Sequence, residues 1–120
     1  MAETTPIISL AQALGHLRED EGAADDMVRL YANAATQHAM DYLGRQVFAS
    51  EDEMKSAVES GTAGDAPMVA NDAVRAAILL TLGKLYAYRE DAVAGVSSSV
   101  IELPGGAKAL LFPYRVGLGV

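Results

Sequence analysis

His16 and His38 are the side chains best suited to acid–base or metal chemistry, and they are the only histidines among the 120 residues. Each falls in a separate predicted helix, and neither belongs to a paired H-E-x-x-H motif of the metalloprotease type. The chain has no cysteine, so it can form neither a thiolate metal site nor a disulfide. Single helical histidines usually pack or face solvent, and we predict no metal or catalytic role for these two.

Two further stretches could bind ions or phosphate, but each fails on spacing. If Gly22 in the acidic run took the invariant glycine position of a calcium loop, the first and last ligands would be Leu17 and Val28, which cannot bind calcium. The segment PGGAKAL (104–110) lacks the first glycine of a phosphate loop and the Ser or Thr after its lysine. We therefore predict that the protein is not an enzyme and holds no cofactor.

The charge is unevenly distributed along the chain, whose formal net charge is −7. Residues 1–60 carry four basic and eleven acidic side chains, whereas residues 61–120 carry five of each. Tight DNA binding relies on basic groups that neutralise phosphates, and the basic residues here are spread singly. Direct, tight DNA binding is therefore not expected.

Capping signals and apolar spacing predict three helices in the first half. Ser9 with Gln12 forms a capping-box pattern that begins a helix ending near Arg18. A second helix is predicted from about Asp25 to Leu43, with Gly44 as its C-cap, and a short, exposed third one from Ser50 to Gly61. Residues 46–48 are predicted to be a short apolar link.

The fourth predicted helix has the strongest helical pattern, and we expect it at the centre of the fold because it is apolar on more than one face. Asn71 is its predicted N-cap, and it is expected to end near Gly95. The stretch GTAGDAP (61–67) before it is predicted to be the most flexible connection. The fold class is thus all-α: a small bundle of about four helices, followed by a short C-terminal helix and an extended tail.

The segment 103–120 is unusually apolar. A short helix is predicted to begin at Pro104 or Gly105 and to stop near Phe112, because a residue before proline avoids the α region. From Tyr114 onward the apolar residues alternate, which predicts a strand that could add to a sheet edge. A helix of about seven residues is not stable alone in water, so the segment is expected to cover a surface.

The order of four stretches resembles the phage head–tail connector family, often labelled DNA-packaging proteins. The stretches are ISLAQALGHLRED, VRLYANAATQHAMDYLGRQV, DAVRAAILLTLGKLYAYRE and ELPGGAKALLFPYR. The resemblance runs from Ile8 to about Arg115, and its most specific parts are Arg75–Glu90 and the prolines, leucines and Tyr-Arg pair of Leu103–Arg115. The stretch 54–67 departs from the family and belongs to its variable middle.

The resemblance implies a structural virion protein without enzymatic activity or cofactor. Its subunits would form a twelvefold ring in the neck of a phage or gene transfer agent, after assembly in the host cytoplasm, and would contact the portal and a tail-completion (stopper) protein. DNA would pass through the ring without specific binding, and no membrane is involved. Residues 1–95 would form the adaptor body and residues 96–120 a linker and docking segment of the same domain.

The docking segment is predicted to bind the portal or a neighbouring subunit. Its predicted partner-binding residues are Leu103, Pro104, Leu110, Leu111, Phe112, Pro113, Tyr114, Arg115, Val116, Leu118 and Val120.

The acidic clusters have two open interpretations. On the lumen of a ring, they would keep phosphates from adhering; otherwise they are ordinary solvated surface. The candidates are Glu19, Asp20, Glu21, Asp25, Asp26, Glu51, Asp52 and Glu53.

Two other hypotheses remain open at the level of sequence. A nucleic-acid-binding DNA-packaging accessory factor would require a basic face. A small helical domain that binds an apolar ligand or has a regulatory role would require the apolar tail to close its own core. The start MAETTPIISL lacks the features of a signal peptide, and no stretch approaches the roughly 18 apolar residues of a membrane span.

Overall fold

The computed structural model describes residues 6–22, 24–87 and 103–116. These residues are mostly helical, which confirms the predicted helical class. The elements in chain order are α1 (Leu10–Leu17), α2 (Asp25–Leu43), β1 (Val47–Phe48), α3 (Glu51–Ser60), β2 (Met68–Val69), α4 (Asp72–Ala87), α5 (Gly105–Leu111) and a 3₁₀ turn (Phe112–Tyr114).

The predicted caps are present in the structure. Ser9 and Gln12 form the capping box: the Gln12 N–H donates to Ser9 Oγ at 3.1 Å, and the Ser9 N–H donates to Gln12 Oε1 at 3.0 Å. Asn71 Oδ1 accepts the Val74 N–H at 2.9 Å at the start of α4. Gly44 ends α2 in the left-handed conformation, with φ +71°. The predicted end of the fourth helix near Gly95 lies outside the described residues.

Helix α4 lies at the centre and packs against α1, α2 and α5. Its buried residues are Val74, Ala77, Ile78, Thr81 and Leu82. The buried Thr81 hydroxyl donates to the carbonyl oxygen of Ala77 at 2.8 Å, so its polar group is satisfied within the helix. The facing stripe of α2 is rich in alanine, and small side chains at a contact bring helix axes closer together.

Aromatic and polar contacts attach the α1–α2 turn to the end of α4. The rings of Tyr31 and Tyr86 meet edge to face, with centroids 6.2 Å apart and an interplanar angle of 87°. The Tyr86 hydroxyl donates to Glu19 Oε2 at 3.2 Å. The turn that carries the first acidic cluster is therefore held against the central helix.

A small parallel sheet takes in Val47 and Phe48 of the predicted link and pairs them with the two residues that follow the predicted flexible connection. Val47 in β1 pairs with Met68 in β2, and the Met68 N–H donates to the Gln46 carbonyl oxygen at 3.0 Å. The 61–67 stretch is also held, because Gln46 Nε2 donates to the Thr62 carbonyl oxygen at 2.8 Å and Ala63 is buried. A two-residue strand is too short for the alternation by which sequence reveals strands.

A candidate partner-binding surface around the C-terminal segment

Helix α5 completes the core of its own chain. Leu103, Ala107 and Leu111 are buried in the cluster that contains α4 and α2. At Gly106, an added Cβ would lie 3.4 Å from Leu80 Cδ1, so α5 and α4 approach closely there. Burial against α4 explains how so short a helix is stable. Leu103 and Leu111, both predicted to bind a partner, instead face their own core.

The chain does not become a strand after α5. Phe112, although it precedes a proline, is α-helical (φ −52°, ψ −44°), and Phe112–Tyr114 form a 3₁₀ turn. The predicted strand is therefore wrong at Tyr114, because proline fits the start of a helical turn, where its missing N–H would be unpaired anyway. Arg115 is extended (φ −71°, ψ 138°). Leu118 and Val120 lie outside the described residues.

The residues after the 3₁₀ turn dock on the C-terminal end of α2. The Val116 N–H donates to the Leu43 carbonyl oxygen at 2.9 Å, and Arg115 Nε donates to the Tyr42 carbonyl oxygen at 2.8 Å. The Arg115 guanidinium also lies 4.5 Å from the centre of the Tyr42 ring. Terminal helix carbonyls lack intrahelical partners and favour cations, so residues 115–116 act as a cap on α2.

Arg45 joins this docked segment to the loop after α3. Its Nη1 donates to the Tyr114 carbonyl oxygen at 3.0 Å and its Nη2 to the Pro67 carbonyl oxygen at 3.4 Å. Its Nε donates to the carbonyl oxygen of Ala66. One guanidinium thus serves three backbone oxygens from two distant parts of the chain. Sequence reasoning missed this role, because a single arginine after a helix cap gives no local signal of its partners.

The predicted partner-binding residues differ in exposure. Leu103 and Leu111 are buried; Pro104, Leu110, Tyr114 and Val116 are half-buried; Phe112, Pro113 and Arg115 are exposed. Phe112 is 56% exposed, beside the exposed Lys108 and Ala109. We call Lys108, Ala109, Phe112 and Pro113 the α5 outer patch.

A second apolar surface lies on α2 and was missed by sequence reasoning, which followed only the inner stripe of Val28 and Ala35. Met27 is 47% exposed and Leu30 60% exposed, and the exposed Ala34 follows one turn later. Residues three and four apart share a helix face. We call Met27, Leu30 and Ala34 the α2 outer patch.

The acidic residues occupy two helix starts and one turn. Glu19, Asp20 and Glu21 are exposed between α1 and α2. Asp25 and Asp26 lie in the first turn of α2, and Glu51, Asp52 and Glu53 lie in the first turn of α3. Negative side chains stabilise helix N-termini, so the five acidic residues in the first turns of α2 and α3 have a local role in the fold. A lumen-facing role remains a prediction.

Within residues 6–22, 24–87 and 103–116, no group of three or more His, Cys, Asp or Glu side chains could hold a metal ion. None of the helices described is long and apolar enough to cross a membrane. Comparisons of the chain with protein-family models, curated proteins and solved structures found no match. Function is therefore inferred from the sequence pattern and from the surface just described.

Proposed function

We propose that this protein is a structural virion protein, a head–tail adaptor whose subunits form a twelvefold ring beneath the portal. The ring would join the capsid to the tail-completion protein and let DNA pass. The basis in sequence is the order of the four stretches between Ile8 and Arg115 that resemble head–tail connectors. The packed body is the helical bundle centred on α4.

The observation that carries the proposal is the dual nature of the C-terminal segment. Leu103 and Leu111 are buried in their own core, while the neighbouring Phe112 is 56% exposed. The segment is then fixed on α2 through Arg115 and Val116 before residues 117–120 follow. A rigid base that presents an aromatic side chain and a following apolar stretch suits a docking element.

The charge pattern supports a conduit better than a DNA-binding factor. Arg45 and Arg75 donate to backbone carbonyls of their own chain, Arg75 Nη1 to the Ala70 oxygen at 3.1 Å. Arg115 likewise donates to α2 and lies on Tyr42. These three of the nine basic side chains are thus engaged within the fold. The alternative, a nucleic-acid-binding packaging accessory factor, would need such groups to contact phosphates.

Deletion of the gene that encodes this protein, followed by examination of the particles that form, tests the proposal directly. An adaptor is needed after the head has filled, so we expect DNA-containing heads and separate tails, with tailed particles restored by the wild-type gene. A packaging factor would instead leave heads without DNA. Normal tailed particles in the absence of the gene would overturn the proposal.

The docking role of the last residues needs a carefully placed truncation. Removal of residues from Pro113 onward would also delete the contacts of Arg115 and Val116 with α2. A chain that ends at Val116 keeps those contacts and removes only Gly117–Val120. We expect this chain to unfold at the same urea concentration as the full chain and to lose binding to portal-bearing heads. Full binding would exclude a docking role for these four residues.

A further inference from the structure

Two exposed apolar patches lie on different helices that flank α4. We propose that the α5 outer patch of one subunit docks on the α2 outer patch of a second copy, with Phe112 against Leu30. Only one part of the inference rests on the proposed function, namely that repeated contacts of this kind close into a ring. The contact between the two patches is argued from their position, their charge and their exposed apolar side chains.

The two patches face different directions. On α4, Leu80 meets Gly106 of α5, whereas Tyr86 meets Tyr31 of α2. Six positions along a helix place these two contacts about 120° apart around its axis. The outer faces of α2 and α5 therefore point away from α4 on different sides. Contact between two different patches is heterologous, and repetition of such a contact gives a ring or a filament.

Charge selects the pairing of unlike patches. Residues 19–31, around the α2 outer patch, carry five acidic side chains and one basic one. Residues 103–116, around the α5 outer patch, carry two basic side chains and no acidic one. Contact between two like patches would bring like charges together, whereas contact between unlike patches brings Lys108 toward Asp26. Such complementarity steers association and suppresses wrong registers.

The local charge of α2 remains available for this contact. Asp26 has a fully exposed side chain (101%), and its ion pair with Arg29 at 3.3 Å is also on the surface. Exposed pairs between neighbouring helix residues contribute little, so Lys108 can compete for Asp26 at small cost.

Each patch carries one large exposed apolar side chain with a small residue one turn away along the chain. Phe112 is 56% exposed, and the exposed Ala109 lies one turn before it. On α2, Leu30 is 60% exposed, and the exposed Ala34 follows one turn later. Aromatic side chains such as Phe are enriched at protein interfaces, which makes Phe112 the candidate anchor of this contact.

The absence of cysteine from the chain permits a clean cross-linking test. Variants with Ala34→Cys in the α2 outer patch and Ala109→Cys in the α5 outer patch keep Leu30 and Phe112 in place; they are purified separately, mixed and treated with a short bismaleimide. We expect a covalent dimer from the mixture, monomer from each variant alone, and a ladder of oligomers from the double variant. The matched control is Val58→Cys on α3, which is 55% exposed; its mixture with Ala109→Cys should stay monomeric.

Each outcome decides the inference. A dimer from either single variant alone would indicate a symmetric contact and overturn it, as would a yield in the mixture no higher than that of the Val58→Cys control. We expect Lys108→Glu in the Ala109→Cys chain to lower the dimer yield severalfold and Asp26→Lys in the Ala34→Cys chain to restore it. An unchanged yield would overturn the assignment by charge. If the cross-linking fails, the gene-removal test of the adaptor function is unaffected, because that test does not use these surfaces.

Discussion

The backbone N–H of Val116 donates a hydrogen bond of 2.9 Å to the carbonyl oxygen of Leu43, the last residue of α2. This bond is possible because Gly44, the next residue, has no side chain: an added Cβ would lie 2.9 Å from the Val116 carbonyl oxygen. The glycine that ends α2 therefore also admits the C-terminal segment. The cap of α2 and the position of that segment are a single feature of the fold.

Replacement of Gly44 by alanine should destabilise the protein more than the same change at Gly61. Both glycines end a helix with similar left-handed φ angles, +71° and +77°, but nothing lies within 4 Å of a Cβ at Gly61. Gly61→Ala should cost about 1 kcal/mol from the left-handed conformation alone. Gly44→Ala should cost at least about 1 kcal/mol more, because the segment must move. Urea unfolding measures both, and equal losses would contradict the role of Val116.

Arg45→Met should destabilise the fold, because it removes the donors that serve three backbone oxygens while keeping an apolar stem. We expect a loss of about 2–3 kcal/mol in the free energy of unfolding. Arg45→Lys should lose less stability than Arg45→Met but still be less stable than the native chain, since a single ammonium cannot reach three oxygens at once. The control is Arg29→Met, whose only described ion pair is exposed and whose loss should be near zero. Similar losses of stability at Arg45 and Arg29 would contradict the proposed role of Arg45 in holding the three backbone oxygens.

Replacement of two adjacent residues of the C-terminal segment by alanine should affect two different properties, stability at Leu111 and association at Phe112. Leu111 is 0% exposed and Phe112 is 56% exposed. Leu111→Ala should cost about 2–5 kcal/mol in stability, as core leucines do. Phe112→Ala should change stability by about 0.5 kcal/mol or less, as is usual at the surface, while it lowers association between subunits in sedimentation equilibrium. A large stability loss at Phe112 would show that this ring also supports the core.

The helices were predictable because their signals are local. Ser9, Ser50 and Asn71 lie next to the groups that they cap, and Gly44 and Gly61 directly follow the helices that they end. The β1–β2 pair could not be predicted, since each strand has two residues and its partner lies across α3. The carbonyl partners of Arg45 are likewise distant in sequence.

The candidate site was located only in part for the same reason. The apolar segment at 103–116 was recognised, but its division into buried and exposed residues depends on which side of α5 meets α4. The α2 outer patch was overlooked because sequence reasoning treated only the inner stripe of that helix as informative. Met27 and Leu30 become notable only when the structure leaves them uncovered.

Gly83 offers a test of how closely α1 and α4 approach. Alanine for glycine inside a helix usually stabilises by about 1 kcal/mol, but a Cβ at Gly83 would lie 3.3 Å from His16 Nε2. Gly83→Ala should therefore gain less than that in the native chain, because His16 must shift. In a His16→Ala background the full gain should appear, and a double-mutant cycle by urea unfolding measures the coupling.

The control for this cycle is Gly105→Ala at the start of α5, where nothing beyond its chain neighbours lies within 4 Å of an added Cβ. Its gain should be the same with and without His16, because no neighbour has to move. If Gly83→Ala gained as much with His16 present as without it, the histidine would not fill the space that the missing Cβ leaves. The coupling, rather than either single change, therefore reports whether the glycine is required for the contact between α1 and α4.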